Sequence, residues 1–84
     1  MNSQVYPEWV ADSIVILLAN HAFLYVHSGE FARESCIGKL NDLTVTLLEA
    51  EDSKHAYQVN RVVENMSKHF KFTYGREPFN VEAL

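Results

Sequence analysis

Apolar residues recur along this chain in three runs at mixed spacings of three and four, the pattern of helices that each bury one side. In the first run Val10, Ile14, Leu17, His21 and Leu24 follow one another at 4, 3, 4 and 3. Pro7 suits a first helical position, and Glu8 and Asp12 complement the positive end of a helix, so the spacing predicts a start near Tyr6 and a stop at Ser28-Gly29. Val15, Ile16, Leu18 and Phe23 fall outside that stripe, which leaves the helix apolar nearly all round. Such a helix is expected at the centre of a fold or between two neighbours. The alternative pairs residues 13–18 with 22–27 as a β-hairpin, an α+β chain. Asn20-His21 is a poor hairpin turn and period-two alternation is missing, so the helix is preferred.

A second helix is predicted from Glu30 to Ala50, with Cys36, Leu40, Leu43 and Leu47 at 4, 3 and 4 and with Ile37 and Leu48 beside them. Gly38 inside it suggests a close helix approach. Glu51-Asp52-Ser53 marks a bend in which Asp52 or Ser53 caps the next helix. The third run is the sharpest: Ala56, Val59, Val63, Met66 and Phe70 follow at 3, 4, 3 and 4 on a polar background, which predicts a helix from Lys54 to Phe70 with one narrow seam. Beyond it Phe70-Lys71-Phe72-Thr73-Tyr74 alternates like a short strand, and Gly75 and Pro78 lead into an extended tail.

These elements predict an all-α chain: one domain over residues 1–84, a three-helix bundle with a short extended C-terminal segment. With 84 residues, 48% hydrophobic, the chain is long enough for one thin core and too short for two. Its apolar surface exceeds what three short helices bury together, so a homodimer is expected, formed through the seam residues Val59, Val63 and Met66 or through the first helix. One cysteine, Cys36, excludes an internal disulfide framework. With no basic-then-apolar leader pattern and no apolar run of membrane-spanning length, a cytoplasmic home and no membrane contact are the expectation.

Charge changes the picture more than its total of −4 suggests. Residues 1–53 set Arg33 and Lys39 against eight acids, whereas residues 54–76 set Lys54, Arg61, Lys68, Lys71 and Arg76 against Glu64 alone. One half is acidic and the other basic, which predicts a polarised surface.

The search for chemistry is brief. The spacings of His21, His27, His55 and His69 match no metal pattern, Cys36 lies on a predicted buried stripe, and phosphate loops and nucleophile elbows are missing. No catalytic residue, metal or cofactor is predicted, and a small enzyme with its site at a subunit interface is only a distant third expectation. Two features remain. Lys54, Gln58, Arg61, Asn65 and Lys68, at 4, 3, 4 and 3, lie opposite the third seam and carry the side chains that contact phosphates, base edges or another anionic partner. The tail interleaves Phe72, Tyr74 and Phe79 with Arg76, the residue types of binding hot spots. The leading expectation is a non-enzymatic binding protein that modulates or inhibits a larger protein complex by occupying its surface, in the manner of phage or plasmid inhibitors, immunity proteins and adaptors. The alternative is a small helical nucleic-acid-binding regulator using the basic row.

Overall fold

A computed structural model describes residues 8–78 of the chain, with side chains from Ser13 onward. It holds three α-helices packed together, α1 (Glu8–Val26), α2 (Glu30–Glu49) and α3 (Ser53–Tyr74), with no strand among the described residues. The predicted bundle is therefore present, and the alternative hairpin across residues 13–27 is replaced by continuous helix.

Local chemistry sets each boundary. Gly29 precedes α2 in an extended conformation without a side-chain cap. At the far end of α2, Glu51 takes a left-handed φ of 60°, the Asp52 amide donates to the Leu47 carbonyl at 2.8 Å and the Glu51 amide to that of Leu48 at 3.0 Å. This is the Schellman arrangement, formed with a residue other than the usual glycine. Asp52 then caps α3: one carboxylate oxygen accepts from the His55 amide at 3.2 Å while the other lies 2.7 Å from His55 Nδ1. Gly75, at φ 70°, closes α3 in the left-handed conformation that favours glycine, its amide donating to the Lys71 carbonyl at 2.8 Å.

The α3 helix runs one turn further than the seam suggests, so the expected strand at Phe70–Tyr74 is corrected to helix. Alternation and helix are compatible there because Phe70 and Tyr74, four apart, lie on one side and bring their rings to 4.6 Å. Gly75 to Pro78 continue as a bend and irregular chain, and the remainder of the expected extended segment lies outside the described residues.

The core is chiefly an α2–α3 hairpin. Ile37, Leu40 and Leu47 of α2 meet Ala56, Val59, Val63, Met66 and Phe70 of α3 in one buried cluster. Thr44 is buried in the same helix, with its hydroxyl satisfied by the Leu40 carbonyl at 3.1 Å. Gly38 does not mark a close approach, as a Cβ built on it would meet nothing within 4 Å.

Of the two places expected for the first helix, at the centre or between two neighbours, it takes the second, against both other helices. The α1 helix packs mainly on α2, with a smaller contact to α3, and turns Ile14, Leu18, His21 and Tyr25 inward. This corrects the stripe through Leu17 and Leu24, which are both exposed. Its C-terminal end is pinned by polar contacts: Arg33 of α2 donates to the carbonyls of Tyr25 at 2.9 Å and Val26 at 3.3 Å, supplying the cation that the last turn of α1 lacks. The Tyr25 hydroxyl reaches across to α3, 3.3 Å from the Met66 carbonyl and 2.7 Å from His69 Nδ1. Among the described residues no helix is long and apolar enough to cross a membrane.

Candidate partner-binding surface

The inward seam of α3 determines what its other side presents. With Val59, Val63 and Met66 buried against α2, the residues two positions along point to solvent, since two residues turn a helix by about 200°. Lys54, Gln58, Arg61, Asn65 and Lys68 are all exposed there, and no ion pair or side-chain hydrogen bond joins any of them to another described residue. The three cations fall seven residues apart, and Lys54 to Lys68 spans about 21 Å of helix. The acidic second helix does not answer them, because α3 turns its apolar side to α2. Two of its acids, Glu30 and Glu34, are engaged elsewhere.

Extending α3 by a turn adds a member to this face. Phe72 stands four residues past Lys68 on the same line, 91% exposed. Near the other end Tyr57, three residues after Lys54, is 65% exposed. The solvent face of α3 thus carries two cations and two amides between two exposed aromatic rings, with Lys54 one turn before the first ring. Tyr57 escapes a periodicity search because an exposed aromatic on a polar face breaks no pattern; its place one turn after Lys54 was the available signal.

The other tail residues do not join that face. Arg76 lies 2.7 Å from one Glu34 carboxylate oxygen and 3.0 Å from Glu30, with its guanidinium 4.8 Å above the Phe70 ring. The hydrogen bonds that Arg76 donates, chiefly to Glu34 and also to Glu30, raise its pKa against a smaller opposing effect of desolvation. Arg76 therefore ties the chain after α3 to the start of α2. Tyr74 is half-buried on Phe70, with its hydroxyl 3.5 Å from Arg33. Phe79 lies outside the described residues. The expected self-association residues Val59, Val63 and Met66, at most 8% exposed, are spent inside one chain, so a second copy cannot meet them in this fold.

Of the histidines, His55 serves a helix end and His69 helix docking. His55 is locked to the Asp52 carboxylate, His69 faces Tyr25, and His21 Nδ1 lies 2.9 Å from the Leu17 carbonyl of its own helix. His27 stacks beside Phe23 with ring centres 4.4 Å apart. Burial pushes the Cys36 thiol up, offset in part by Lys39, and burial likewise raises Tyr25 against the opposing charge of Arg33. Both are kept protonated and so are poor nucleophiles. Among the described residues no three His, Cys, Asp or Glu side chains form a group able to hold a metal ion.

The fold and this surface define a three-helix bundle with one basic, aromatic-flanked helix face. No family model matches the chain, and neither the curated proteins nor the solved structures compared with it include a significant match.

Proposed function

We propose that this chain is a non-enzymatic binding protein that modulates or inhibits a larger protein complex by covering an anionic surface on it with the solvent face of α3. The observation that carries the proposal is the alignment of Tyr57, Lys54, Arg61, Lys68 and Phe72 on one rigid helix face, exposed and without partners within the described chain. Aromatic rings and Arg supply most of the energy at protein interfaces, while surrounding cations select an oppositely charged patch and speed encounter. Three cations on a chain of net charge −4 are few for a nucleic-acid surface, which favours a protein over the alternative regulator. Cytoplasmic action belongs to the proposal and rests on the lone, buried thiol of Cys36.

The test is capture from source-cell lysate, with and without nuclease, by wild type and two folded variants. Tyr57→Ala with Phe72→Ala is expected to weaken capture of a nuclease-resistant protein at least about 30-fold, about 2 kcal/mol of hot-spot energy. Lys54→Ala with Arg61→Ala and Lys68→Ala should slow association and remove much of its salt dependence. Complete loss of bound material after nuclease, with a salt slope of about −2 to −3 for three phosphate contacts, would move the function to nucleic acid.

A further inference from the structure

From Ser13 to Val26 the flank of α1 beside its inward seam is exposed and carries no Asp, Glu, Lys or Arg. Val15, Ile16, Phe23 and Val26 are 60–64% exposed. Val15, Ala19, Ala22 and Val26 follow at 4, 3 and 4, flanked by Ile16 and Phe23, seven apart. This is a second helix-pairing seam, rotated about 100° from the inward seam of Ile14, Leu18, His21 and Tyr25. Its middle is small, so a facing helix can approach closely at Ala19 and Ala22 while the valines close the ends.

We infer that a second copy of this chain covers the outward seam of α1. Three observations select that occupant. The exposed apolar side chains of α1 present on the order of 500 Å², at the upper end of the patches that monomers leave uncovered. Two such faces, fully covered, together remove about 1,000 Å² from water, the lower bound for a specific interface. The order Val–Ala–Ala–Val reads the same in both directions, so the seam complements itself across a two-fold axis whichever way the helices run. Within Ser13–Val26 the seam adds no charge, and an antiparallel pairing sets the Glu8 and Asp12 positions of the two copies at opposite ends, which limits the repulsion that a chain of net charge −4 meets in a copy of itself. A lipid surface fits less well, because helices lying in a membrane interface carry Lys and Arg along their polar side, and Ser13–Val26 has neither. Pairing through α1 leaves both α3 faces open, and it stands independently of the function proposed for them.

Light scattering of the full chain across a dilution series tests the inference, with circular dichroism as the check on folding. The wild type is expected at twice the 9.6 kDa chain mass. Val15→Glu with Phe23→Glu should weaken association about 100-fold or more and return the mass of one chain, with helix content unchanged because both positions face solvent in the monomer. Should that variant lose helix, Ala19→Arg provides the same readout with a single change at the seam centre. A wild-type chain that stays monomeric at hundreds of micromolar overturns the inference, as does a dimer that survives the charged variants. So does a monomer that floats with lipid vesicles through α1.

Discussion

Gly38 and Gly75 offer a test in which one substitution should act with opposite signs for a single physical reason. A Cβ built at either position meets nothing within 4 Å, so packing does not separate them. Backbone conformation does: Gly38 sits inside α2, whereas Gly75 ends α3 at φ 70°. Alanine in a helix interior is favoured over glycine by about 1 kcal/mol, and nothing in the surroundings of Gly38 opposes that gain. A left-handed alanine at position 75 costs about 1–2 kcal/mol, of which the stiffer unfolded chain returns about 0.4–1. Gly38→Ala is therefore expected to stabilise by about 1 kcal/mol and Gly75→Ala to destabilise by about 0.5–1 kcal/mol. With a urea slope of about 1 kcal/mol/M for a chain of this size, the midpoints should move up by about 1 M and down by about 0.5–1 M. Equilibrium unfolding followed by circular dichroism measures both. A lower midpoint for Gly38→Ala would mean that α2 approaches a neighbour closely there, as the sequence alone suggests. Shifts of the same sign would refute the conformational argument.

Asp52 is 1% exposed and satisfies both the first turn of α3 and the His55 ring, so Asp52→Ala should cost about 1–2 kcal/mol. That predicts a fall in melting temperature of about 4–8 °C per kcal/mol, and a smaller fall for Asp52→Asn, which keeps an acceptor; equal losses would show that the cap is not the source. Cys36 should react with an aromatic disulfide about 100-fold or more slowly in the folded chain than in urea, because the thiol is buried and held protonated; labelling at the unfolded rate would contradict this. Because its folded pKa is raised, the contribution of Cys36 to stability is complete below the unfolded thiol range and declines as pH rises through the folded value. Unfolding midpoints measured from neutral to alkaline pH should therefore fall in the wild type more steeply than in Cys36→Ala.

By itself the sequence determined the three helices, the α3 seam and the basic row opposite it. On α3 apolar residues are sparse and strictly spaced, so a single face can be buried, and burying Val59, Val63 and Met66 exposes Lys54, Arg61 and Lys68. Asp52 and Gly75 act through neighbouring backbone, and such local effects are legible along a chain. Which side of α1 faces the core was a tertiary decision. A helix apolar all round has no preferred face, and the α2–α3 hairpin covered the stripe that Arg33 and His69 could anchor through Tyr25. The roles of Arg76 and Tyr74 were equally out of reach of periodicity. Arg76 meets Glu30 and Glu34 across 46 and 42 residues of chain, a juxtaposition that exists only once α2 and α3 have packed antiparallel. Phe72 shows both levels at once: its aromatic character marked it as a contact residue, but only the added turn of helix placed it in line with Lys68, because the hydrogen-bonded ladder of α3 persists until Gly75 ends it.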